Sequence, residues 1–137
     1  MGIKIPDEKL IKIGYPKFDE YLNNKINKDE YLDYLGIRDK TRKNILYAPT
    51  WEWGDGTLKR FGKKFCREIS REHNLIIRPH FQDRSHIVKL KIWAKLNGLK
   101  HVYFSNPAKI IKNNAMNDFA ISDLLISDTS SINYEYL

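Results

Sequence analysis

Apolar residues along this chain gather in short continuous runs, and the longer stretches between them repeat apolar positions at helical spacing. Leu10 to Ile13 (LIKI) is the first run of strand length, and Gly14-Tyr15-Pro16 breaks it. Phe18, Tyr21 and Leu22 follow at three- and four-residue intervals, which predicts a helical turn. Asn27 is placed as the cap of a second helix, with Glu30 as its capping-box partner. Tyr31, Leu32 and Leu35 would be the buried stripe of that helix and Gly36 its stop. Asn44 to Ala48 (NILYA) runs apolar without alternation, as in a strand covered on both faces of a parallel sheet. Pro49-Thr50 ends it, and the glycines of Trp51 to Gly56 (WEWGDG) predict a loop.

The clearest helix covers Thr57 to His73. Leu58, Phe61, Phe65 and Ile69 form one apolar stripe, and the opposite face carries Lys59, Arg60, Lys63, Lys64, Arg67 and Arg71. Such a charged face is usually solvated. Leu75 to Ile77 is the next buried strand, ending in Arg78-Pro79-His80. A helix over Ile87 to Leu96 stops at Gly98, and Val102 to Phe104 is a short strand ended by Asn106-Pro107. Asn117 is placed as the cap of a brief helix through Ile121. Leu124 to Ile126 is the last strand, and Ser127 to Ser131 (SDTSS) turns it into a helix that the chain barely begins. Five strand candidates alternating with helices imply βαβ units. The expected fold class is α/β, a Rossmann-like parallel sheet with helices on both faces and right-handed crossovers.

Length and composition narrow this picture without redirecting it. The chain has 137 residues, which suits one domain: a lead-in over 1–40 and a core over 41–137. No apolar run approaches the roughly 20 residues that span a bilayer. The N-terminus lacks the apolar stretch of a signal peptide. The single cysteine, Cys66, falls on the apolar side of the long helix and reads as a packed thiol rather than a nucleophile. Lys and Arg number 24 against 17 Asp and Glu, a net charge of +7, which favours anionic partners. The charge is dispersed and is not interleaved with aromatic residues on one face, which argues against a nucleic-acid binder. No Cys/His cluster has zinc-ligand spacing, and no metal or cofactor is expected.

The chemistry concentrates where strands end. In an open parallel sheet, ligands bind outside the carboxyl ends of the strands. Three sets of residues fall there: Pro49-Thr50-Trp51, Arg78-Pro79-His80, and Ser127 to Ser131. Ser130 and Ser131 at a helix start offer hydroxyls and free N–H groups to an anion. Arg78 can grip phosphate oxygens, and His80 can donate a hydrogen bond to them. Glu135 lies at i+4 from Ser131, on the same helix face, where a carboxylate can accept both ribose hydroxyls. Taken singly, each has a plainer use, since a serine at a helix start is most often an N-cap. Trp51 and Trp53 serve equally as a cover for a base or acceptor and as packing against the sheet edge. The other histidines are less persuasive: His73 and His101 read as structural, and His86, six residues past His80 in an expected loop, is more readily a loop residue than one that faces the site. Glycine-rich phosphate loops of the common kinds are absent.

The same strand ends resemble a particular family. ILYAPTW (Ile45 to Trp51), RPH (Arg78 to His80) and DLLISDTSSINYEYL (Asp123 to Leu137) are similar, in order and separation, to the sequence blocks of the CDP-glycerol glycerophosphotransferases. KIGYPKFDEYL (Lys12 to Leu22) resembles that family's entry into the same domain. The chain departs from the pattern at Glu52, Phe81 and Thr129, where Arg, Pro and Tyr are frequent.

The resemblance implies the C-terminal, nucleotide-binding lobe of a two-lobed GT-B architecture. Arg78, Pro79 and His80 would line the pyrophosphate pocket, Ser130 and Ser131 would hold phosphate, Glu135 would take the ribose, and Pro49 and Thr50 would line the cytidine side. His80 would be the catalytic residue, neutralising charge on the leaving phosphate as an acceptor hydroxyl displaces CMP. The partners implied are CDP-glycerol or a related nucleotide-linked donor, an anionic teichoic-acid-type or polysaccharide acceptor, and an N-terminal lobe bearing the general base. Because that lobe and the strand after the last helix lie outside the pattern, the chain reads as a fragment inactive alone. A cytoplasmic location follows, with a peripheral place on the inner membrane face allowed. A nucleotide-sugar GT-B lobe and a non-catalytic nucleotide-binding remnant remain as alternatives.

Overall fold

The computed structural model describes residues 6–23, 25–51, 53, 56–106 and 114–136. Strands β1 (Asn44–Ala48), β2 (Asn74–Ile77), β3 (Val102–Phe104) and β4 (Leu124–Ser127) form one sheet in the order β3-β2-β1-β4. Every pairing is parallel. Ile45 lies opposite Leu75 on one side and Leu124 on the other, and Tyr47 opposite Ile77 and Ile126. All five residues of β1 are buried, because this strand is flanked on both edges and covered on both faces.

The helices among the described residues are α1 (Asp19–Leu22), α2 (Lys28–Leu35), α3 (Leu58–Ile69), α4 (Arg84–Leu96), α5 (Ala115–Ile121) and α6 (Ile132–Tyr136). The two-residue period of the strands divides the core between them. Leu46, Ala48 and Ile76 pack with Tyr31, Leu32, Met116 and Phe119 from α2 and α5. Tyr47, Leu75 and Ile77 pack with Leu58, Cys66, Ile87 and Leu90 from α3 and α4. Leu46, Leu75, Ile76 and Ile77 are each 0% exposed, and such side chains contribute about 1.5–3 kcal/mol apiece when fully buried. The Cys66 thiol sits in the second cluster, where burial pushes its pKa up to about 12. It is a core residue without thiolate character at neutral pH.

Local signals hold at several helix ends. The Asn27 side chain accepts a hydrogen bond from the Glu30 amide at 3.2 Å. Gly36 and Gly98 close α2 and α4 with φ of 81° and 67°, the left-handed conformation that favours glycine.

Four expectations need correction. Leu10 to Ile13 forms no strand. Leu10, Ile11 and Ile13 are 54%, 83% and 73% exposed, and among the described residues nothing pairs with this segment, so its apolar character alone cannot make a ladder. The sheet therefore has four strands, not five. The long helix ends at Ile69 rather than His73, because the Ser70 hydroxyl bonds back to the Cys66 carbonyl at 2.5 Å and the chain then turns into β2. Its buried residues are Leu58, Gly62 and Cys66, while Phe61 is 40% exposed, so the buried stripe is rotated from the expected one. The cap of α5 is Asn114, whose Oδ1 accepts from the Asn117 amide at 2.9 Å; Asn117 supplies the N–H and not the capping oxygen.

Candidate functional site

The carboxyl ends of the four parallel strands share one edge of the sheet, and the three sequence blocks meet there. Asp128, just past β4, organises the first seam. Its Oδ1 accepts from the Thr50 amide at 2.8 Å, and its Oδ2 accepts from the Thr57 amide and hydroxyl, both at 3.0 Å. The Tyr47 hydroxyl and Thr57 Oγ1 are 2.8 Å apart, and the Ser127 hydroxyl donates to the Ala48 carbonyl at 2.9 Å. The turn after β1 is thus tied to the turn after β4. Gly56 is fitted to this turn: a Cβ there would lie 2.2 Å from the Thr50 carbonyl oxygen. Pro49 is buried and Thr50 half-buried beside it. Glu52, Gly54 and Asp55 of the same loop lie outside the described residues.

His80 joins this seam through its ring. Its centroid is 6.0 Å from that of Trp51, and Trp51 in turn stacks on Trp53 at 6.4 Å with an interplanar angle of 10°. The Phe81 ring centroid lies 4.5 Å from that of His80. A row of four rings, Trp53-Trp51-His80-Phe81, therefore crosses the edge. Its two ends are open, with Trp53 87% and Phe81 63% exposed. His80 Nδ1 accepts from the Gln82 amide at 3.4 Å, a long bond that favours the tautomer with Nε2 protonated.

Arg78 turns inward. Its Nη1 donates to Asp118 Oδ2 at 2.6 Å and to Ser105 Oγ at 3.2 Å. Asp118 also accepts from Ser105 Oγ at 2.7 Å and from the Tyr31 hydroxyl at 2.8 Å, and is 0% exposed. Burial pushes this carboxyl above the ordinary range, and Arg78 opposes that, followed by the Ser105 and Tyr31 hydroxyls. A buried ion pair of this kind is costly to break from one side. It anchors the base of Arg78-Pro79-His80 from α2, α5 and the end of β3. The sequence reading missed Asp118. One signal for it existed, a lone acid among Met116, Phe119 and Ala120, because a charge on an apolar helix face needs a buried partner.

The start of α6 is shaped by the same turn. Ser130 donates its amide to the Asp128 carbonyl at 2.8 Å, and its hydroxyl accepts from the Ile132 amide at 3.4 Å, the ordinary capping use. Ser131 is exposed. Glu135 faces the lead-in: it accepts from Lys17 Nζ and from the Tyr15 hydroxyl at 3.3 Å. His86 lies on α4 with its Nδ1 3.8 Å from Asp83 Oδ1. Among the described residues no three His, Cys, Asp or Glu side chains converge as a metal site would require.

A parallel sheet in the order β3-β2-β1-β4 with helices on both faces makes this a Rossmann-like α/β lobe. Its fold matches the wall teichoic acid polymerase TagF with a TM-score of 0.67 at 24% identity, covering 96% of this chain and 31% of that one. The model of the CDP-glycerol:poly(glycerophosphate) glycerophosphotransferase family matches residues 3–137, and the chain belongs to that family. It is 30% identical over 136 residues to a teichoic acid poly(glycerol phosphate) polymerase of Staphylococcus epidermidis, covering 95% of this chain and 18% of that protein. It is 32% identical over 141 residues to a teichoic acid glycerol-phosphate primase of Bacillus subtilis, covering 98% and 32% respectively. The chain thus spans a third or less of the length of these relatives.

Proposed function

We propose that this chain is the donor-binding lobe of a glycerophosphotransferase, taking CDP-glycerol or a related nucleotide-linked donor at the carboxyl edge of its sheet. The observation that carries this reading is the ring contact between Trp51 and His80 beside the seam tied by Asp128, which brings the β1 and β2 blocks to one edge with the serine turn. The family membership supplies the chemistry.

In this reading Pro49 and Thr50 border the cytidine, Ser130 and Ser131 meet phosphate, and the His80 ring N–H donates a hydrogen bond to the leaving phosphate. An acceptor hydroxyl forms the new bond to the glycerol-bearing phosphorus as the bond to the CMP oxygen breaks. Stabilising charge on that oxygen is a task for a preorganised donor. Arg78 and Pro79 line the pyrophosphate pocket with His80, Arg78 reaching it from its pair with Asp118. Glu135 would take the ribose by sharing or releasing Lys17. The chain acts as one unit, a lead-in over 1–40 and a core over 41–137. The general base belongs to an N-terminal lobe. The acceptor is an anionic teichoic-acid-type polymer, met at the cytoplasmic face of the membrane.

Calorimetric titration with CDP-glycerol, CMP and a UDP-sugar tests this. CDP-glycerol is expected to bind best, with affinity lost in Ser131→Ala and His80→Ala. Preference for the UDP-sugar, or no nucleotide binding, would sink it.

A further inference from the structure

Next to the seam between β1 and β4 there is a second opening, which shares Pro79 and His80 with the strand end and reaches along α4. It is a cavity of about 560 Å³ bounded by His80, Phe81, Arg84, Val88, Lys91 and Asn106 among its walls. This is the size range of small-ligand sites. No acidic side chain lines it among the described residues, while two cations do. Arg84 is exposed at the first turn of α4, and the Lys91 ammonium rests 5.0 Å from the centroid of the Phe104 ring. Phe81 and Val88, 63% and 50% exposed, give the same cavity an apolar wall.

From this geometry we infer that the cavity binds two successive phosphates of a phosphodiester chain, and so seats the acceptor polymer on this lobe next to His80. Arg84 and Lys91 are seven residues apart, two turns along one helix face, a rise of about 10 Å. A single small anion engages one of them. A polymer with a phosphate on each short repeat engages both, and its carbon links lie against Phe81 and Val88. His80 is the shared wall, so an acceptor seated here approaches the ring that faces the donor. The inference takes the acceptor's chemistry from the proposed function and adds where it binds.

The test is titration of the chain with a synthetic trimer of glycerol phosphate joined by phosphodiesters. The trimer should bind, more weakly as salt is raised. Arg84→Ala and Lys91→Ala should each reduce affinity about tenfold, and Arg84→Lys and Lys91→Arg should restore most of it. CDP-glycerol affinity should be the same in all four variants, and saturating CDP-glycerol should leave trimer binding intact. The inference is overturned if the trimer does not bind, if its affinity ignores both cations, or if CDP-glycerol competes with it. Recruitment only to vesicles containing phosphatidylglycerol, without trimer binding, would overturn it equally. Failure of CDP-glycerol to bind would remove the proposed function, yet the response of the trimer to Arg84 and Lys91 would still decide the acceptor site.

Discussion

Two aspartates organise the carboxyl edge of this sheet, and they do so by opposite means. Asp118 is fully buried and receives side chains only: Arg78, Ser105 and Tyr31, drawn from three separate parts of the chain. Asp128 is half-buried and receives mostly backbone, the amides of Thr50 and Thr57, with one hydroxyl. The first locks the layers of the fold together beneath the site. The second shapes the loop that forms the site's rim. A buried charge pair and a half-buried loop clasp have different costs of removal, and this separates the frame of the site from its working surface.

The largest expected effect is on the frame. Asp118→Ala leaves the Arg78 charge buried without its partner and should cost about 3–5 kcal/mol in urea unfolding. Replacing both partners by apolar residues, Arg78→Met with Asp118→Leu, should recover most of that loss. A midpoint unchanged in Asp118→Ala would end the distinction drawn above. Asp128→Ala should cost less, about 1–2 kcal/mol, because water can reach the released amides. Its signature is local: faster hydrogen exchange at Thr50 and Thr57, with the amides of β2 still protected. Asn114→Ala removes the cap of the helix that carries Asp118 and should cost about 1 kcal/mol. It should loosen the Asp118 side and spare the Asp128 loop; equal loosening of both would blur the comparison. The smallest effect concerns Cys66. With its thiol pushed up to about 12 by burial, it should resist iodoacetamide at pH 8 in the parent chain and in Asp128→Ala. It should be modified in Asp118→Ala in proportion to global unfolding.

What the sequence disclosed follows the reach of each physical signal. β1 and β2 were legible because a strand buried on both faces must be apolar throughout, as NILYA is, and β4, at the sheet edge with Leu124 48% exposed, was legible from its short apolar run alone. The stops at Gly36 and Gly98 were legible because a left-handed turn selects glycine locally. The LIKI segment was misread because apolar character is necessary for a strand but pairing is what makes one. The strand ends named the right edge of the sheet, yet they could not show what their side chains do there. Arg78 reads as a phosphate ligand from its place at a strand end, and nothing local shows that it also pairs with Asp118, 40 residues away. The cavity beside His80 was equally hidden, since it depends on α4 standing next to the turn after β3. Both gaps concern contacts between segments remote in sequence, where periodicity is silent.

The parallel order of the sheet also sets a timetable. β1 meets β2 through Asn44 and Asn74, 30 residues apart, but it meets β4 across a separation of 79, as between Asn44 and Asp123. Closing the longer loop costs about 0.9 kcal/mol more by chain entropy alone. The β1-β2-β3 half can therefore assemble while the remainder of the chain is still being synthesised, and β4 must find its place on a sheet that already exists. Until it does, one edge of the central strand stays unpaired, a standing invitation to another copy in the same condition. Slowing the docking of β4 should thus show first as aggregation of nascent chains, before any loss in the stability of molecules that have finished folding.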